Sequence, residues 1–331
     1  MEKDIQEKIM PVGGQAVIEG VMMRSPIRVA TAIRRSNGRI ELKVQDFESL
    51  MQRKKYFNIP IIRGAITLIE VMVLGIKNLQ WSADKAIEDL EVAEGKKERK
   101  QKKKAGLSTS GALFTISLAL ILGIGLFFVL PLYLTTEIFN IEKDALLFNL
   151  TSGIIRIVFF LFYVWGISFL KDVKRLFEYH GAEHKTIFAF ENKVFLSPKN
   201  AQKFSTFHPR CGTSFLMIVM LISLLFFAFL DTLVIYVYGD INFLIRILTH
   251  IPLIPVIGGI SYEALKLSAK HSTSKIIQTL IFPGLALQKI TTSRPNYQQL
   301  EVAITALKAA LGEEYKDELI GEERDTTKVT V

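Results

Sequence analysis

Cysteine is nearly absent: 331 residues contain one, Cys211, which excludes an intramolecular disulfide and fits a reducing compartment. Histidine is scarce as well, with five in the chain. The first 25 residues begin MEKDIQEK and lack the charged-then-apolar pattern of a secretory signal, so the N-terminus is expected to stay in the cytoplasm. No helix-turn-helix, zinc-finger or RNA-binding motif occurs, and no GK[ST] follows the glycines near the N-terminus, which excludes a phosphate-binding loop there. The net charge of +9 therefore does not point to nucleic acid. Most of the excess flanks apolar runs, where attraction to anionic lipid headgroups accounts for it.

What the chain has in plenty is hydrophobic sequence, 50% of all residues. A bilayer core is crossed by about 20 helical residues. Ser110 to Leu134, Leu146 to Leu170 and Ser214 to Tyr238 meet that length without strong interruption. Phe243 to Tyr262 is interrupted by Arg246, His250, Pro252 and Pro255 but still reads as a span, because neighbouring helices can cover a broken helix. The fold class is thus mainly α: a polytopic membrane protein with about four transmembrane helices, interfacial amphipathic helices and a small N-terminal β-hairpin unit. Lys and Arg crowd "KKERKQKKK" and the loop between the second and third spans, whereas "TTEIFNIEKD" and "YGDIN" are almost free of them. Basic loops stay inside, which predicts both termini and the loop 171–211 in the cytoplasm.

The other segments read as follows. Residues 10–48 form a β unit with a glycine-rich lead, "PVGGQAVIEGVMMRSP", and a hairpin around Asn37-Gly38, whose residue types tolerate positive φ. The stretch 59–81 carries Arg63, Glu70, Lys77 and Asn78 within apolar sequence, which predicts a helix lying on the membrane rather than through it. A charged linker covers 82–106 and the four-helix membrane domain 107–265. In 266–311 the pattern predicts an interfacial helix to Phe282, a turn at Pro283-Gly284 and an amphipathic helix from Tyr297 to Leu311. A polar tail, 312–331, closes the chain.

Within the inner loop stands "YHGAEHKTIFAFE". Its H-x-x-E-H order is that of the inverzincin metal peptidases. On a helix His180 and His184 project from one face, where two imidazoles can hold a divalent transition metal, zinc by the chemistry of such donors, while Glu183 polarises its water as general base. Topology brings further ligand types to the same depth: His208 and Cys211 in "FHPRCGTSF", and Glu263 at the inner end of the fourth span. The third ligand stays open among these three, and Arg210 or Arg24 would stabilise developing negative charge. Each has a plainer reading: His208 capping a turn, Cys211 as a small buried residue, Glu263 paired with Lys266 or Arg210. Asp231 and Arg246 are expected to form an interhelical ion pair near the outer ends of adjacent spans, with a proton or substrate relay as the sharper alternative. His250 reads as a packing polar group.

"GGQAVIEGVMMRSP", "YHGAEHKTIFAFE", "HPRCGTSF" and "PGLALQKITTSRPNYQQLEVAI" together resemble the bacterial YqhQ family, uncharacterised membrane proteins described as predicted metal-dependent enzymes. The resemblance implies a bacterial cell membrane location and places the glycine-rich segment in one functional unit with His180 and Cys211. It implies no substrate or reaction.

Two functions fit these residues. One is a cytoplasm-facing, membrane-embedded metal-dependent hydrolase acting on a membrane peptide or a lipid. The other is a non-enzymatic membrane scaffold or assembly factor with a structural metal. A three-ligand site leaves a position for water, and a four-ligand site does not. Transport fits less well, because four spans with few intramembrane polar groups offer little pathway. The lipid bilayer is the one partner implied directly; no nucleic acid is, and oligomeric state is not legible.

Overall fold

The computed structural model describes residues 12–94, 109–139, 141, 143–270 and 274–312. The basic run Lys96 to Lys104, the first eleven residues and the tail from 313 onward lie outside the described residues.

Four strands, β1 (Gly13–Val17), β2 (Gly20–Arg24), β3 (Arg28–Arg34) and β4 (Ile40–Asp46), form an antiparallel meander in the order β1-β2-β3-β4. The predicted hairpin is β3–β4, with Gly38 at φ +82° in its turn. The glycine-rich lead is itself two strands, so the unit is a sheet of four. Its apolar residues do not alternate with polar ones because both faces are covered. Val21, Met23, Ala30 and Ala32 point into one core, and Val17, Met22, Val29 and Ile33 into another on the opposite face. β4, the exposed edge, is blunted by Glu41, Lys43 and Asp46.

Helix α1 (Ile62–Ala93) is longer than the predicted 59–81 and takes in the first part of the charged linker. Contacts with the sheet hold the extra turns: Ile18 N donates to Ser82 Oγ at 3.1 Å, and Arg35 Nε donates to Asp89 Oδ1 at 2.9 Å. Leu74 and Trp81 cover the second core, and Thr31 Oγ1 donates to Asn78 Oδ1 at 3.0 Å beneath them.

Among the described residues four helices are long and apolar enough to cross a membrane: Phe114–Phe139, Ala145–Ile167, Gly212–Tyr238 and Phe243–Ser268. These are the four predicted spans. The first lies in helix α2, Thr109–Ile124 carried on through a π-helical turn, Gly125–Val129, into Leu130–Phe139. Helices α3 (Ala145–Ile167) and α5 (Gly212–Tyr238) pack side by side. Helix α6 runs from Phe243–His250 through a 3-10 turn at Ile251–Leu253, where Pro252 sits, into Ile254–Lys270. Phe128, Leu132, Phe148, Phe227 and Ile257 fill the centre, while Phe162, Leu225 and Phe229 stay exposed, as lipid-facing side chains do.

Helix α4 (Lys171–Glu191) follows α3 at the end of the bundle that carries the sheet. Helices α7 (Lys275–Thr291) and α8 (Tyr297–Leu311) complete the chain. α8 has the predicted bounds and packs on β2, β3 and α4 through Leu300, Ile304, Leu307 and Leu311. The turn predicted at Pro283-Gly284 does not occur: α7 continues through it. A Cβ on Gly284 would lie 2.6 Å from Ser214 Cα, so α7 is pressed onto α5 there, and that packing offsets the hydrogen bond lost at proline.

Candidate metal centre

Helix α4 has no proline and one glycine, Gly181, and most of its second half is buried. One side rests on the sheet and α8 through Tyr179, Ala182, Ile187 and Phe190. The other is crossed by the segment after α7: Ser293 N donates to Phe177 O at 2.9 Å, and a Cβ on Gly181 would stand 2.1 Å from Ser293 O. Glycine is the residue that admits this backbone. The loop 202–211 closes over the same region, tied down by the Lys185 ammonium, which donates to the carbonyls of Gln202 and Phe204.

His180, His184 and Cys211 come together, with one ligand atom of each within 4.8 Å of the others, a group that could hold a metal ion. Their hydrogen bonds fix which atoms those are. His180 Nδ1 lies 2.8 Å from Thr291 O, and His184 Nδ1 is bonded to Thr206 O. A carbonyl only accepts, so each Nδ1 carries the proton, and in the neutral ring Nε2 is the atom that presents a lone pair. Metal-bound imidazoles are oriented in the same way by a bond from the other ring nitrogen. His180 Nε2 faces Cys211 Sγ at 3.2 Å. His184 Nε2 is buried and makes no hydrogen bond of normal geometry, with the Cys211 sulfur as its electrostatic neighbour. Burial pushes His184 below the usual imidazole range, which keeps it neutral and able to ligate. Cys211 caps the N-terminus of α5, its Sγ accepting from Thr213 N at 3.4 Å.

Glu183 lies 3.9 Å from His180 Nε2 and 4.0 Å from His184 Nε2. Burial raises its carboxyl above the usual range, opposed by His180, by His208 and by the backbone N–H of Gly14. A Cβ on Gly14 would stand 2.8 Å from Glu183 Cγ, so β1 approaches this carboxylate as closely as glycine allows. The glycine-rich segment thus forms part of the site's wall.

The other predicted residues fall in different places. His208 is one layer out: its ring packs on Phe188, Arg210 N donates to its Nδ1 at 3.2 Å, and its Nε2 faces Glu191 at 3.5 Å. Arg210 is ion-paired with that same Glu191. Arg24 lies over the Phe47 ring at 4.1 Å. Glu263 is apart altogether, accepting from Arg63 Nε at 2.6 Å across the α1–α6 contact. Its partner is neither Lys266 nor Arg210: the nearest cation in space sits 200 residues away in the chain.

Sequence reading missed the groups that hold the ligands in position. Gln288, fully buried on α7, accepts from His208 N at 2.7 Å and donates to His208 O at 2.8 Å and Ser214 Oγ at 3.0 Å. Thr291, one turn later, supplies the carbonyl on His180. One helix therefore grips both ligand-bearing segments.

A family of proteins of unknown function, DUF1385, matches residues 59–313. The chain is 31% identical over 312 residues to the uncharacterized protein YqhQ of Bacillus subtilis (strain 168), covering 92% of this chain and 94% of that one. No solved structure matches it. The family match spans the bundle, α4, the loop to Cys211, α7 and α8, and the match to the relative covers 92% of the chain, so the chain belongs to the YqhQ family, DUF1385.

Proposed function

We propose that the protein is a multi-pass enzyme of the bacterial cell membrane, with both termini in the cytoplasm. At its cytoplasm-facing end a zinc-dependent site would hydrolyse a membrane-associated peptide or lipid. The observation that carries this is the convergence of two proton-fixed imidazoles and one thiol, with a carboxylate about 4 Å from both imidazoles. Nitrogen and sulfur donors in this number suit zinc, and three protein ligands leave one position for water. A zinc ion bound there would supply Lewis acidity and a bound water acidic enough to ionise near neutral pH. Glu183 would accept that water's proton as general base. Its reach to both Nε2 atoms supports the role, and the Gly14 N–H would hold its orientation.

Entry from the bilayer is supported by an open apolar groove of about 320 Å³ lined by Val158, Leu161, Phe162, Trp165 and Ile290. Ile290 directly precedes Thr291, which holds His180. The basic residues of the loop 171–211 support the inward orientation of this end.

A structural metal in a non-enzymatic scaffold is the second reading, favoured by the deep burial of Glu183 and His184. Glu183→Gln separates the two. A general base predicts a variant that keeps its zinc and loses hydrolysis of phospholipid or peptide substrates. Loss of the metal would make Glu183 a fourth ligand and the site a closed, structural one.

A further inference from the structure

Among the polar side chains buried inside the bundle are Asn149, Arg156, Ser223, Asp231, Arg246 and His250. Asp231 is saturated. It accepts from Arg246 Nε at 2.9 Å, Asn149 Nδ2 at 2.7 Å and His250 Nε2 at 2.8 Å, uniting α3, α5 and α6. The predicted ion pair is present and fully enclosed.

Arg156 has no share in it. Near the middle of α3, it is 8% exposed, donates from Nη1 to Ser223 Oγ at 3.2 Å and lies over the Phe128 ring at 4.7 Å. Its Nε has no partner, and among the described residues no carboxylate lies within ion-pair distance. Among the described residues Asp231 is the one carboxylate buried in this bundle, and it is bonded to Arg246, so Arg156 has no counter-charge beside it there. Water can solvate such a group but cannot neutralise it, and an isolated charge in hydrocarbon costs several kcal/mol.

The surroundings are arranged around this cation. The π-helical turn Gly125–Val129 brings Phe128 inward, against Arg156 on one side and His250 at 6.1 Å on the other. His250 stacks on Phe227 at 3.9 Å, and its Nδ1 is buried without a partner. Two polar atoms from different helices are therefore left unsatisfied beside one aromatic ring. π-Turns occur frequently at functional sites.

We propose that Arg156 anchors an intramembrane binding site for an oxyanion, a carboxylate or a phosphate group. The planar guanidinium fork suits such groups, and its buried Nε is without a partner. The oxyanion would come from a free ion or from the head of an acyl chain, and the two sources are separable by experiment.

Full-length protein, purified in non-ionic detergent and desalted into a zwitterionic buffer, is titrated with inorganic phosphate, decanoate or chloride at constant ionic strength. Thermal unfolding is the readout. The expected result is a saturable rise in Tm with phosphate or decanoate, larger than with chloride, and absent in Arg156→Gln. A response to phosphate assigns the site to a free ion, and a response to decanoate alone to a lipid carboxylate. Arg156→Lys keeps the charge without the fork and should bind about tenfold more weakly, the loss of one charge-assisted hydrogen bond. Equal shifts with chloride, no saturable shift with either oxyanion, or an Arg156→Gln curve matching the native one would overturn the proposal. Should Arg156→Gln fail to fold, native affinity in Arg156→Lys would overturn it instead.

Discussion

Replacing Gln288 with leucine removes no proposed ligand, yet it should loosen the metal centre. Its amide satisfies both backbone groups of His208 and the Ser214 hydroxyl, in a place with no access to water. Leucine of similar size would leave the His208 N–H buried and unpaired, at about 1–3 kcal/mol, while the His208 carbonyl keeps its bond from Cys211 N at 3.2 Å. The segment would relax to recover the lost bond, and Cys211, three residues on, would move with it. Groups that orient metal ligands typically change affinity by about 10–100-fold. Zinc affinity is measured by competition with a chromophoric chelator on protein shown to be folded by its unfolding transition. A Gln288→Leu variant with native zinc affinity and native Tm would refute the reasoning that α7 holds the site together.

Further outcomes follow from the same contacts. Glu263→Gln should leave zinc content unchanged and change Tm little, because Glu263 and Arg63 form a partly exposed ion pair at the α1–α6 contact, screened by solvent; metal loss would return Glu263 to the ligand set. Asp231→Asn leaves Arg246 and His250 facing a neutral group inside the bundle, and should lower stability by about 3–5 kcal/mol in denaturant unfolding in detergent. A change within 0.5 kcal/mol (about the scatter of neutral surface substitutions) would contradict that assignment. Zinc retention should weaken on acidification, since imidazoles ligate only when neutral. Because burial depresses His184, the loss should set in below the ordinary imidazole value of about 6.5, and a midpoint above it in a pH titration of zinc content would contradict the buried site.

Much of the architecture is legible because it rests on strong local signals. The spans come from apolar length, the β3–β4 turn from Asn37-Gly38, and α8 from the spacing of Leu300, Ile304, Leu307 and Leu311. His180 and His184 share a helix face by periodicity alone, and Cys211 joins them because the loop returns to the bundle end from which α4 began. β1 and β2 are harder, since strands covered on both faces lose their alternation and the glycine-rich lead holding Gly13, Gly14 and Gly20 carries no strand pattern of its own. Pro283 suggests a break that tertiary packing overrides. The groups orienting the histidines are least legible of all: the carbonyls of Thr291 and Thr206 carry no residue-type signal, and Gln288 looks like any polar residue on an amphipathic helix. Glu263 and Arg210 have suitable chemistry at a suitable depth, but nearby opposite charges claim them, and spacing does not reveal such pairings.

The central claim is that His180, His184 and Cys211 form a metal centre. Elemental analysis of the detergent-purified protein, beside a folded His180→Ala, His184→Ala double variant, tests it most directly. The account predicts one zinc per native chain and none in the variant. No metal in the native protein after zinc supplementation, or equal metal in both, would contradict it.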